Sequence, residues 1–227
     1  MIDILYKSRN VVVISKPYGM GSEPDQTGTA DAMTETSRIL HSLGEDDRLW
    51  LVHRLDRVVG GALVFARSAS AAGELSKIIS ERQLVKEYLA VVEGIPVEGE
   101  YLDHLYKDAR IGKAVICSSD KKGAKQARLA LKVIDTQDTE WGQYSLVRVT
   151  LHTGRFHQIR VQLANRGTPI VGDGKYGSRN NKAAGIALYS AHLSLALRNE
   201  SINVLSIPSA TEYPWNLFII NERMLAE

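Results

Sequence analysis

The chain has 227 residues, 44% of them apolar and 24% charged, enough to bury a sizeable core as one large domain or two small ones. A net charge of +2 excludes recognition of a polyanion by bulk composition, so any such site must come from local clustering of cations. The single cysteine, Cys117, excludes an internal disulfide and a cysteine cluster for zinc; no stretch reads as a signal peptide or a membrane span, and a cytoplasmic protein is expected.

Val11 to Ile14 is a β-branched run that reads as a strand entering the turn Ser15-Lys16-Pro17-Tyr18-Gly19, where proline and glycine punctuate the chain. Lys16 in that turn suits either a phosphate contact or a plainly solvated lysine. From Thr29 to Leu43, Ala32, Met33, Ile39, Leu40 and Leu43 fit a helix with Gly44 as its stop. Leu51 to Arg67, LVHRLDRVVGGALVFAR, sets Asp56 among His53, Arg54 and Arg57, ahead of Gly60, Gly61 and a strand-like run from Ala62 to Ala66. Neighbouring positive charge favours an ionised carboxylate, and the glycines permit a loop beside a rigid scaffold. The plainer alternative is a surface aspartate salt-bridged to the adjacent arginines.

Ser70 is the expected N-cap of a helix whose inward residues are Ala71, Leu75, Ile78 and Ile79. Leu84 to Gly94 reads as a strand with Lys86, Tyr88, Ala90 and Val92 on one face. Tyr88 either packs there or, beside a charged site, serves as a general acid or base. Ile95 to Gly99 and Asp103 to Lys125 read as connections around short strands. Ala127 to Ile134 and Tyr144 to His152 alternate as two strands separated by Asp135 to Gly142, which suggests a hairpin or meander in a largely antiparallel sheet.

Beyond them, Phe156, Ile159 and Leu163 recur at helical spacing, and Gly167 with Pro169 supplies a stop, so a short helix entered through a glycine turn is expected. His157 and Arg160 share a face of it, and Arg155 aims a guanidinium in the direction of the free backbone N–H groups. With Gln158 and Gln162 this makes a donor set suited to a polyanion; a surface helix with ordinary arginines is the alternative. Pro169 to Gly177, PIVGDGKYG, is a Gly-rich loop without the spacing of a nucleotide-binding loop. Ala187 to Leu197 and Ile202 to Ile207 read as strands, and Pro208, Pro214 and Trp215 as a packed tail.

HRLD at His53 to Asp56, KEY at Lys86 to Tyr88, TGRFHQIRVQL at Thr153 to Leu163 and PIVGDGKYG, in that order and preceded by SKPYGMGSEP at Ser15 to Pro24, resemble the motifs of the RluA-type pseudouridine synthases. The resemblance covers nearly the whole chain. It departs at Val59-Gly60-Gly61, where members commonly carry Thr-Ser-Gly, and at Gln162, often a His. The resemblance implies an α+β fold, a mixed, mostly antiparallel sheet with flanking helices around a central catalytic cleft. It also implies one catalytic domain over residues 1–227, without the amino-terminal S4 RNA-binding domain of many relatives.

By the same resemblance the activity is isomerisation of uridine to pseudouridine in ribosomal or transfer RNA, with the nucleotide flipped out and neither cofactor nor metal needed. Asp56 matches the catalytic aspartate, Tyr88 the active-site tyrosine and Arg160 the arginine that pairs with the aspartate. His53 and Arg54 match positions flanking the flipped nucleotide, and Arg54 is the candidate to fill the gap it leaves. Arg57, Arg155, His157, Gln158 and Lys16 are the expected contacts to an RNA stem-loop, with no membrane partner and a monomeric chain. Two rivals stay open: a catalytically silent RNA-binding or ribosome-assembly protein on the same fold, and a carboxylate-dependent glycosidase. The glycosidase has only Asp173 as a motif-borne second acid, a residue that reads more simply as part of a turn.

Overall fold

The computed structural model describes residues 2–26, 28–180, 183 and 185–225. In chain order, β1 (Asp3–Lys7) and β2 (Val11–Lys16) precede helix α1 (Ala32–Ser42), the short β3 (Trp50–Leu51), β4 (Gly60–Ala66) and helix α2 (Ala69–Ser80). Then come β5 (Val85–Glu93), β6 (Gly99–Asp108), β7 (Lys113–Cys117), β8 (Lys125–Thr139) and β9 (Gly142–Leu151). Helix α3 (Gln158–Ala164), β10 (Leu188–Leu197) and β11 (Glu200–Leu205) complete the set, an α+β architecture with few helices. Packing divides the chain into two compact units that interleave in sequence, residues 1–86 with 190–208 and residues 87–189 with 209–227.

In the first unit β1, β2 and β4 lie side by side in antiparallel pairs, β10 follows β4, and β11 pairs with β10. Every residue of β4 is buried, which is why its sequence is continuously apolar rather than alternating. One face carries Val11, Val13, Ala62, Val64 and Ala66 against Ala71 and Leu75 of α2, together with Leu193, Leu195, Ile202 and Val204. Asp31 caps α1 by accepting from the Thr34 N–H. Helix α2 is capped by Ser68 and not by Ser70: Ser68 is extended, at φ −154° and ψ 157°, and its hydroxyl accepts from the Ala71 N–H.

The second unit is an antiparallel sheet in the order β5-β9-β8-β6-β7. Two readings of the sequence are corrected here. Asp103 to Lys125, read as connections around short strands, holds the second half of the ten-residue β6 and all of the five-residue β7, and β8 runs to Thr139, leaving only Glu140 and Trp141 to turn into β9. β6 and β7 escape pattern reading because they end the sheet: much of their surface meets water, so lysine and aspartate replace the apolar alternation of a half-buried strand. Their inward residues Leu105 and Ala114 join Ala127 and, from α3, Val161 in a small core, with Ile116, Phe156 and Tyr176 packed on it.

Candidate active site

In the first unit, the residues around Asp56 are held by reciprocal bonds. The Ser22 hydroxyl donates to the Leu55 carbonyl at 2.9 Å and accepts from the Leu55 N–H at 3.0 Å, fixing the residue before Asp56. The Val59 N–H donates to the Asp56 carbonyl at 2.9 Å and closes the turn into β4. Arg57 staples the preceding loop, reaching Asp25 at 2.6 Å, the Thr29 hydroxyl at 3.1 Å and the Gly19 carbonyl at 3.3 Å. These contacts account for how a turn that has Val-Gly-Gly in place of Thr-Ser-Gly is still anchored. Asp56 itself is partly buried.

Lys16 is neither a solvated lysine nor a phosphate contact. It is 1% exposed, and its ammonium donates to the carbonyls of Pro17 at 3.0 Å, Met20 at 2.7 Å and Arg57 at 3.3 Å. Burial lowers its pKa to about 8, opposed by the charge of Asp56 and assisted by that of Arg57. Its three protons tie the Lys16–Met20 turn to the Asp56–Arg57 turn, which leaves none for RNA.

His53 does not supply the positive charge beside Asp56 that the sequence suggests. Its Nε2 accepts from the Val64 N–H at 3.2 Å, so the ring is neutral. Desolvation, then the charge of Lys86, lowers its pKa to about 3. It therefore adds no positive charge beside Asp56 and serves to hang the loop on β4. Arg54 points out, 70% exposed at the side chain, with Glu23 at 3.2 Å.

The second unit carries Tyr88 and Arg160. Tyr88 is 6% exposed on β5, opposite Val149 of β9. Arg160, on α3 and 5% exposed, donates from Nε and Nη2 to the two oxygens of Asp173 at 2.7 and 2.8 Å. Its guanidinium also lies over the Tyr176 ring, 5.1 Å from the centroid. The Tyr176 hydroxyl in turn accepts from the Ala114 N–H at 2.7 Å and meets His157 Nδ1 at 2.8 Å. Asp173 and Tyr176 hold Arg160 in place, a role that pattern reading did not assign to them. The signal was the PIVGDGKYG loop itself, whose role a linear sequence does not reveal.

The start of α3 is not an open anion site. His157 occupies the N-cap in the left-handed region at φ 53°, its ring stacked on Phe156 at 3.7 Å between centroids. Gln158 is 3% exposed; its Oε1 accepts from the Arg155 N–H at 3.0 Å and the Thr153 hydroxyl at 2.7 Å, while its amide donates to the Arg128 carbonyl at 3.1 Å. Gln158 therefore builds the turn and does not face RNA. Arg155 commits Nε to the Gln126 carbonyl at 2.9 Å. Gln162, where relatives often carry a His, is wholly buried and donates to Asp103 at 2.6 Å.

Asp56 thus belongs to the first unit, and Tyr88 and Arg160 to the second. The glycosidase reading loses its second acid, since both oxygens of Asp173 are committed to Arg160. Among the described residues, no three His, Cys, Asp or Glu side chains gather as a metal set, and no helix is long and apolar enough to cross a membrane.

A family model described as RNA pseudouridylate synthase matches residues 10–165. A protein of Haemophilus influenzae called an uncharacterized RNA pseudouridine synthase is 28% identical over 93% of this chain and 90% of its own length. The tRNA pseudouridine synthase C of Haemophilus ducreyi is 30% identical over 78% of this chain and 74% of its own. Other curated relatives are longer, and the chain spans 46 to 61% of their length. Among solved structures, human RNA pseudouridylate synthase domain containing 4 superposes with a TM-score of 0.73 at 25% identity, covering 92% of this chain and 89% of that one.

Proposed function

The chain belongs to the RNA pseudouridylate synthase family, and on that premise we propose that it isomerises uridine to pseudouridine in structured RNA with Asp56 as the reacting carboxylate. The observation that carries this reading is the setting of Asp56. It sits on a turn pinned from both sides by Ser22 and Val59, beside the buried ammonium of Lys16. A loop built so firmly around one acid suits chemistry that depends on the placement of that acid.

The reaction breaks the bond from ribose C1′ to uracil N1 and remakes it to C5, with no change of oxidation state. A carboxylate serves by adding to the sugar or the base, or by assisting proton removal at C2′. Tyr88 would flank the uracil, its hydroxyl placed to assist loss of the C5 proton. Arg160, oriented by Asp173, would pair with the Asp56 carboxylate and hold it ionised when water is excluded. The target atom is hidden in stacked RNA, so the nucleotide must be extruded at a cost of about a few kcal/mol, and the exposed Arg54 would occupy the space it vacates. Arg155 and His157 would meet the backbone nearby. The H. ducreyi relative is named for transfer RNA; for this chain ribosomal and transfer RNA are both within the proposed substrate class.

The test is tritium release from RNA labelled at uracil C5. Asp56→Asn is expected to abolish turnover while RNA is still bound, and an Asn variant that keeps most of the activity removes Asp56 from this role.

A further inference from the structure

Glu93 ends β5, the strand that carries Tyr88, and it holds both ends of the loop that carries Asp173. At the start of that loop the Glu93 N–H donates to the Pro169 carbonyl at 2.9 Å, the Val171 N–H donates to the Val91 carbonyl at 2.9 Å, and Ile170 faces Val92 in an antiparallel bridge. At its end the carboxylate takes over. Glu93 Oε1 accepts from the Ser178 hydroxyl at 2.6 Å and from the N–H groups of Arg179 at 2.9 Å and Asn180 at 3.3 Å. All of these groups belong to the second unit.

Two contacts carry this grip inward to Asp173. The Ser178 hydroxyl, while donating to Glu93, accepts from the Gly172 N–H at 2.9 Å, and the Ser178 N–H donates to the Asp173 carbonyl at 3.1 Å. The Asp173 N–H donates to the Ile170 carbonyl at 3.0 Å, on the stretch already laid along β5. Its carboxylate then holds Arg160 by two bonds, with the Tyr176 ring of the same loop under the guanidinium. Hydrogen bonds to a carboxylate are among the strong ones, so Glu93 is a firm end for this chain of contacts. None of its three donors is a cation, so what they require at this position is an acceptor oxygen. Asn180 is tied separately, its amide donating to the Tyr144 and Tyr213 hydroxyls at 2.7 Å each, so a change at Glu93 loosens the loop without freeing its end.

We propose that Glu93 is a positioning residue: through Ser178 and Asp173 it fixes the direction of Arg160 relative to β5, and so the register of Arg160 with Tyr88 on that strand. The inference rests on the proposed isomerase reading for its effect on turnover, and it adds a residue outside every motif that pointed to the site. A group displaced by a fraction of its own length loses much of its effect on a reaction, which gives such a residue its leverage.

The experiment reads Arg160 directly and turnover separately. In 15N-labelled protein the Arg160 Nε–H resonance, assigned by its loss in Arg160→Lys, reports the bond to Asp173. Glu93→Ala is expected to displace or broaden it and to lower kcat for tritium release from bulk RNA labelled at uracil C5 by about 10–100-fold, with KM for RNA unchanged. Glu93→Gln, which keeps an acceptor oxygen, is expected to restore the resonance and most of kcat. Glu98→Ala, which removes a carboxylate bound to the Val133 N–H of the same unit, is the control and should leave both unchanged. An unmoved resonance in Glu93→Ala, an equal displacement in Glu98→Ala, or full turnover with a displaced resonance overturns the proposal, as does a Gln variant no better than Ala. Ser178→Ala, expected to give a smaller loss in the same direction, decides by the same readouts if Glu93→Ala does not fold. A displaced resonance in Glu93→Ala with no tritium release by the wild type refutes the isomerase and leaves the hold of Glu93 on Arg160 standing.

Discussion

Arg160 and Asp173 meet edge to edge, two nitrogens on two oxygens at 2.7 and 2.8 Å, with 5% and 1% of their side chains exposed. A planar guanidinium bound in this way has lost rotation about its last bond, so Asp173 decides where the rest of Arg160 points. The Tyr176 ring under the guanidinium limits it on a third side. Arg160 is thereby a preset group in the second unit.

Removing the acid leaves a buried cation without its partner. Asp173→Ala is expected to cost about 3–5 kcal/mol of unfolding free energy, and Asp173→Asn, which keeps one acceptor, less. Urea titration followed by circular dichroism measures it. A loss below about 1 kcal/mol in Asp173→Ala would mean that the pair does not order Arg160.

Gly61 carries the closest backbone approach in the first unit. At φ +105° a Cβ would stand 2.2 Å from the Ser190 carbonyl oxygen and 2.7 Å from its nitrogen. Gly61→Ala must therefore part β4 from β10, and a destabilisation of more than about 3 kcal/mol, or loss of soluble protein, is expected. Gly73, on α2 with no atom near its would-be Cβ, is the control, and Gly73→Ala is expected to be neutral or slightly stabilising.

His53 gives a pH dependence with a defined sign. Its folded-state pKa is lowered to about 3, while an unfolded histidine titrates near 6.5. Above the unfolded value both states are neutral and the stability is fully present. As pH falls below it, the unfolded chain takes up a proton that the folded protein refuses, and stability declines by at most about 1.4 kcal/mol per unit. Urea midpoints compared between about pH 7 and pH 5 should fall less steeply in His53→Gln than in the wild type, and parallel declines would disprove the assignment.

Gln158 bonds three groups at the start of α3, two of which, the Thr153 hydroxyl and the Arg128 carbonyl, also meet each other at 3.4 Å. Gln158→Ala leaves the Arg155 N–H, the Thr153 hydroxyl and the Arg128 carbonyl without it, and a loss of about 2–4 kcal/mol is expected. If Gln158 faced RNA instead, the same substitution would weaken RNA binding at unchanged stability. Thermal melting and duplex binding on one preparation distinguish the two.

Residue order determined much of this protein. The apolar run of β4, the spacing in α1 and α2, and the alternation in β8 and β9 were legible because burial on one or both faces writes a period into the chain. Asp56, Tyr88 and Arg160 could be put forward as candidates because their motifs are short and local. Tertiary structure decided what the sequence leaves degenerate. A lysine in a Pro-Gly turn reads as exposed until three carbonyls from two turns converge on Lys16, and a glutamine among cations reads as an RNA donor until Thr153 and Arg128 fold over Gln158. Asp173 reads as a turn residue until α3 brings Arg160 to it, because an ion pair between residues 13 apart, one on a helix and one in a loop, depends on packing and leaves no period in the sequence.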